Sequence, residues 1–349
     1  MFEKVNPCHP DKVADRIAGA IVDLAYTKNK NRWSNESSAK LDLSTAEGRQ
    51  RWAQANPKVA VEVLLGHGKA TVMIESSEDF RPVEIVPIVR RLAGDVELDL
   101  HAVKQDPHLA NNQEGAVRCG DNGIFKGSAP TYEQKALTAI AASIYEAFPY
   151  DGKYLIGRFD FQNFIRPSDG GKGSKAVTIC QSHATEDEIA ELWNKFWENH
   201  GAKAVPRRPN RPGIDNCYRH DTYGAFSVKI NPLGEWTGGP DVDCGATNRK
   251  LGSDLGDGVS GGGINGKDLS KGDVSINIVC FLKAVQSGQT VTACCSIGDE
   301  QVTFQYASGK TETETFADVV EMARLYILTD CNGSFETFSE WGLIRPKDE

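Results

Sequence analysis

Apolar residues at Val13, Ile17, Ile21 and Leu24 recur with helical spacing and predict an amphipathic helix over Asp11–Tyr26, with Pro10 suited to its first turn. Lys58–Gly66 (KVAVEVLLG) and Lys69–Ser76 (KATVMIES) then alternate as strands do, around a turn at Gly66–Gly68. Helical spacing returns at Val83, Val86, Val89 and Leu92, and a strand follows at Val96–Val103. The same order of elements recurs twice. A helix over Thr131–Phe148, opened by a Thr131/Gln134 capping box, precedes strands near Tyr154–Phe164 and Ala176–Gln181 and a helix begun by Thr185 with Glu188. The Ile189, Leu192, Trp193, Phe196 and Trp197 face of that helix reads as core. A third set has a strand at Tyr223–Ile230, a helix at Val274–Val285, strands at Gln289–Ile297 and Gln301–Tyr306, and a helix carrying Phe316, Val319, Val320, Ala323 and Ile327. The pattern predicts three similar α/β units, at 1–112, 113–232 and 233–349.

Segments without periodicity lie between these elements. Residues 29–56 are polar and read as a surface insertion, with Ser44 and Glu47 as a capping box before a short helix containing Trp52. Gln105–Gly123 is rich in Asn and Gly and too long for a tight connection, so it is either a binding loop or lid, or disordered. Ala202–Asn216, rich in Pro and Arg, is a linker or surface loop.

Asn231–Asp273 has the most concentrated chemistry. Its glycines allow backbone amides to approach an anion closely, while Arg249, Lys250, Lys267 and Lys271 bracket them and Asp243 and Asp273 stand beside as partners for a cation or a ribose. Gly261, Gly262 and Gly263 are followed by Ile-Asn-Gly-Lys-Asp, which excludes the Gly-Lys-Ser/Thr spacing of a Walker loop. The remaining readings are a polyphosphate site and an ordinary Gly-rich surface loop. His9 and Asp11 fall at a helix N-terminus, which suits either an anion site or simple capping by Asp11.

A net charge of −9 argues against general nucleic-acid binding, and a basic pocket within it points to a small anionic partner. Nine cysteines without a CxxC pair, an N-terminus (MFEKVNPCHPDK) without an apolar signal core, and apolar runs too short for a membrane span give a cytoplasmic expectation with no membrane partner.

Five segments, in this order, resemble signatures of the S-adenosylmethionine synthetases, or methionine adenosyltransferases. They are HPDKVAD (9–15), VAVEVLLGHGKATVMIES (59–76), RPSDGGKGSKAVTI (166–179), GGPDVDCGATNRK (238–250) and GGGINGKDLSKGD (261–273). The resemblance implies three α/β domains around a pseudo-threefold axis, and a reaction in which the sulfur of L-methionine attacks the ribose C5′ of ATP. Triphosphate leaves and is then hydrolysed. It further implies that His9, Lys172, Arg249, Lys250, Lys267 and Lys271 contact the phosphates, and that Asp11 and Asp273 hold Mg2+, two ions per site. Glu62 would belong to a K+ site, Glu75 and Gln105 to the methionine, and Asp169 to the ribose. Asp121, Trp236, Asp243 and Ile264 would complete the substrate site. A homodimer with shared active sites is implied, which can pair again into a dimer of dimers. Asn6, Pro7 and Cys8 replace the acidic residue and glycine usual in that family, and the lid after Gln105 and the loop between Lys250 and Gly261 are short.

Overall fold

A computed structural model describes residues 1–29, 45, 57–108, 123–158, 175–204, 218–220, 224–258 and 262–346. The expectations for the 29–56 insertion and for most of 105–123 and 202–216 lie outside these residues.

The chain opens with β1 (Phe2–Val5) and α1 (Pro10–Lys28), followed by β2 (Val59–Gly66), β3 (Lys69–Ser76), α2 (Pro82–Ala93) and β4 (Glu97–Lys104). Next come β5 (Ile124–Gly127), α3 (Tyr132–Ala147), β6 (Gly152–Arg158), β7 (Lys175–Gln181), α4 (Glu186–Asn199), β8 (Lys203–Ala204), β9 (Tyr218–His220) and β10 (Gly224–Ile230). The last third has β11 (Gly245–Ala246), α5 (Leu251–Leu255), α6 (Gly272–Ser287), β12 (Val291–Cys294), β13 (Gln301–Tyr306), β14 (Thr311–Thr315), α7 (Phe316–Asp330) and α8 (Phe335–Trp341).

These strands form three sheets, ordered β1-β6-β7-β10-β9-β8, β11-β2-β3-β4 and β14-β13-β12-β5. The fold is mixed α/β. Three strands cross the boundaries of the contiguous division. β1 pairs with β6 in the middle of the chain, β11 with β2, and β5 with β12. Both predicted capping boxes of the middle segment form, at Thr131/Gln134 and Thr185/Glu188.

Two helices bury more than one stripe. α1 is enclosed by β2, β11, α2 and α8, and α6 is buried on every side from Gly272 to Phe281. The predicted stripe of α2 is rotated: Ile85, Val89 and Ala93 are buried at i, i+4, i+8, whereas Val83 is 69% exposed. Val285 and Ile297 are also exposed, because α6 leaves the core after its third turn and β12 ends at Cys294. β14 (TETET) offers no apolar alternation and went unpredicted, as did α8. That helix docks on α1, where Asp23 accepts from Ser334 Oγ (2.7 Å), Phe335 N (2.8 Å) and Glu336 N (3.0 Å).

Candidate active site

The turn between β1 and α1 is set by Asn6. It is fully buried, donates through Nδ2 to the Tyr150 carbonyl (2.8 Å), and accepts through Oδ1 from Cys8 N (3.1 Å). An amide here does the local work of a turn and supplies no charge. His9 is the N-cap of α1, and its Nδ1 accepts from Asp11 N at 3.2 Å. That bond leaves the ring proton on Nε2 as a donor. Burial, and then the cations of Lys250 and Lys153, push the imidazole down to about 3, so His9 is neutral at physiological pH.

Asp11 is fully buried, and its Oδ1 accepts from Ala246 N (3.0 Å) and pairs with Arg249 Nε (3.1 Å). Its Oδ2 accepts no hydrogen bond among the described residues, with Lys250 Nζ 3.8 Å away. Glycine is required at 245 because a methyl group there would lie 2.2 Å from the Pro10 carbonyl. β11 can therefore lie against the first turn of α1, which brings Arg249 and Lys250 to Asp11. Lys250 Nζ also meets Glu3 Oε1 (3.0 Å), while Glu3 Oε2 meets Lys153 Nζ (2.8 Å). Burial alone would raise the Glu3 carboxyl, and hydrogen bonds from these two lysines bring it below its ordinary value.

Asp151 and Lys153 were missed from sequence. Asp151 Oδ2 accepts from Gly239 N at 2.7 Å, and its Oδ1 has no hydrogen-bond partner among the described residues. Burial, reinforced by Asp243 and Asp11, pushes this carboxyl up to about 7 against the opposing Gly239 N–H. The available signal was an acid and a lysine two residues apart where β6 begins. Asp169 and Lys172, expected at the ribose and the phosphates, lie outside the described residues, as does Asp121.

Asn248 joins the two halves of the Gly-rich stretch. Held at φ +61°, its Oδ1 accepts from Ile264 N (3.0 Å) and Asn265 N (2.9 Å). Gly263, at φ +87°, has no room for a methyl group, which would lie 2.3 Å from Asn248 Cγ. Residue 267 then bridges Ala60 on the β2 edge, and Lys267 Nζ reaches Asp273 Oδ2 (2.7 Å) and the Gly262 carbonyl. Lys271 is the N-cap of α6, and Asp273 lies in its first turn. Ile264 is a core residue, 1% exposed.

The other candidates lie on or beside the outward face of the β11-β2-β3-β4 sheet. Lys267 is opposite Ala60, which is opposite Glu75, so a cation and a half-buried carboxylate occupy one row, their backbones about 10 Å apart across the strands. Glu62, exposed on β2, accepts from the Thr247 hydroxyl. Gln105 is buried just beyond β4 and donates from its N–H to the Ser76 carbonyl (2.8 Å). Trp236 is half-buried and Asp243 exposed in the loop that Asp151 holds at Gly239.

No protein-family model matches the chain. It is 29% identical over 291 residues to S-adenosylmethionine synthase 2 of Rhodospirillum rubrum, a match covering 78% of this chain and 68% of that protein. A match to the S-adenosylmethionine synthase of Mesoplasma florum, at 26% identity, covers 99% of this chain and 89% of the relative. The synthase of Flavobacterium psychrophilum is 28% identical over 295 residues, covering 78% of this chain and 67% of the relative. The chain is a divergent relative of the S-adenosylmethionine synthases. Its three sheets and flanking helices accord with the three-domain α/β fold of those synthases.

Metal ligands are sparse. Among the described residues, no group of three His, Cys, Asp or Glu side chains converges. The buried Asp11 Oδ2 and the carboxylate of Asp273 nevertheless fit Mg2+, which takes one or two carboxylates and draws its other ligands from phosphates and water. Glu62, with the Thr247 hydroxyl as its neighbour, offers one carboxylate to a cation on this face.

Proposed function

We propose that this protein makes S-adenosylmethionine from ATP and L-methionine. The observation that carries the reading is the convergence of Arg249, Lys250 and the neutral His9 around the buried Asp11 at the N-terminus of α1. A thioether sulfur is nucleophilic without a base, so the task is to orient the reactants and offset charge on the leaving triphosphate. Arg249, Lys250, Lys267 and Lys271 supply positive charge, and His9 donates a hydrogen bond from Nε2–H to the departing oxygen without carrying charge of its own.

Lys172 contacts the phosphates and Asp169 the ribose, as the resemblance implies, and Lys153 and Asp151 join them, because both flank the Glu3, Lys250 and Gly239 network. Glu75 faces the methionine ammonium and Gln105 lies beside it, while Trp236, Asp243 and Asp121 bound the nucleotide. Asp11 and Asp273 would hold Mg2+ and Glu62 would contribute to K+. Bound there, Mg2+ supplies charge neutralisation on the triphosphate oxygens.

The assembly is a homodimer formed through the outward face of the β11-β2-β3-β4 sheet, where Leu64, Met73 and Val103 are about half exposed beside Glu62 and Glu75. A dimer of dimers is compatible with this pairing.

The test is to incubate the purified protein with methionine, ATP, Mg2+ and K+ and analyse the products by mass spectrometry. S-adenosylmethionine is expected. Triphosphate cleavage without a sulfonium product would replace this reading with a hydrolase, and nucleotide binding without turnover would replace it with a regulatory relative.

A further inference from the structure

Behind the cation site lies a second set of charges that the reaction does not touch. Lys12 follows Asp11 on α1 but points into the protein, and it is fully buried with Asp15 and Asp254. Its Nζ donates to Asp15 Oδ2 (3.0 Å) and to both oxygens of Asp254 (2.8 and 2.9 Å). Each carboxylate also holds part of the Gly-rich stretch. Asp15 Oδ1 accepts from Asn248 N at 2.7 Å, and Asp254 Oδ2 accepts from Asn265 Nδ2 at 3.3 Å. Asn248 in turn fixes the amides of residues 264 and 265, three and two residues before Lys267.

The two carboxylates exceed the single Lys12 charge. Lys4, also fully buried, lies close enough to Asp254 for attraction and donates to the carbonyls of Ser253 (3.0 Å), Trp341 (2.7 Å) and Ile344 (2.7 Å). In formal charge the two lysines and two aspartates balance, with burial pushing Lys4 down and Asp15 up to about 7. A buried ion cluster stabilises no better than an apolar one of the same volume, and what it adds is direction, since charge-assisted hydrogen bonds fix geometry.

We propose that Lys12 is a positioning residue for the phosphate-binding loops, holding the Asn248–Lys250 segment through Asp15 and the 264–267 turn through Asp254. The link to phosphate binding rests on the function proposed above, whereas the link to loop geometry does not.

The test compares the full chain with Lys12→Met and with Lys12→Met/Asp254→Asn, which removes one charge of each sign. Three quantities are measured: the thermal midpoint, amide hydrogen exchange across 245–268, and binding of inorganic tripolyphosphate with Mg2+. Lys12→Met lowers the midpoint, because two carboxylates then face Lys4 alone. The double variant regains most of that midpoint, yet its 245–268 amides exchange about tenfold faster or more than wild type. Its tripolyphosphate binding weakens about tenfold or more, since one displaced contact propagates to each phosphate ligand. Wild-type protection of 245–268 in the double variant would overturn the proposal, as would faster exchange spread evenly over the chain. If Lys12→Met does not fold, the double variant decides alone. If the wild-type chain binds no tripolyphosphate, the proposed function fails while the exchange result still decides the positioning.

Discussion

Replacing His9 by asparagine tests the neutrality of the imidazole at the head of α1. Asparagine caps a helix about as well as any residue and can accept the Asp11 N–H, so the variant keeps the turn and removes the titration. The pKa of His9 falls from an ordinary 6.5 to about 3 in the folded chain, chiefly through burial. A depressed pKa contributes stability that is present above the unfolded value and is lost as pH falls toward the folded one. At about pH 5 the unfolded imidazole is protonated and the folded one is not, a gap of roughly 1.5 pH units that costs the wild type about 2 kcal/mol. Asp151 and Asp15, whose carboxyls are raised to about 7 mainly by burial, act in the opposite sense, removing stability as pH rises through that range. Both groups are common to the two proteins and cancel in the comparison. Chemical denaturation at about pH 8 and about pH 5 should therefore show the wild type losing about 2 kcal/mol more than His9→Asn on acidification. Equal losses, or a wild type that gains on the variant, would refute a buried neutral His9.

Lys267→Ala should lower turnover about a hundredfold with a much smaller change in KM for ATP, as expected for a group that acts on developing charge, and steady-state kinetics read both. Asp11→Asn should raise the Mg2+ concentration needed for half-maximal activity, whereas a purely structural Asp11 would leave that titration unchanged. Asp23→Ala removes the acceptor for three donors at the start of α8 and should cost about 1–2 kcal/mol in a denaturation experiment. If the His9 group and the Lys267 group serve the same site from different protomers, random re-association of inactive His9→Ala and Lys267→Ala dimers should restore about a quarter of wild-type activity. Dimers that exchange subunits and recover nothing would exclude sharing.

Elements with strong local signals were legible in the sequence. β2 and β3 alternate, and α3 and α4 carry capping boxes that form as read. What sequence could not disclose is which strands meet. β1, β5 and β11 have four residues or fewer and gain their identity only from partners more than a hundred residues away. The basic residues of the candidate site stand out in the sequence where glycine and charge coincide, as at Arg249, Lys250 and Lys267. Asp151 and Lys153 were hidden because a lone acid and lysine at a strand start look like surface, and only contacts with the distant Glu3 and Gly239 bring them to the candidate site. Lys12 was passed over for the same reason: its partner Asp254 is 242 positions away.

The most direct test of the central claim follows the oxygen that joins C5′ to the α-phosphate. ATP carrying 18O at that bridging position is incubated with the protein, methionine and Mg2+, and the products are analysed by mass spectrometry. Attack of sulfur on C5′ breaks the carbon–oxygen bond, so the account predicts unlabelled S-adenosylmethionine and all of the 18O in the released phosphate products. Label retained on an adenine nucleotide, with no sulfonium formed, would mean that bonds to phosphorus break instead and would contradict adenosyl transfer at this site.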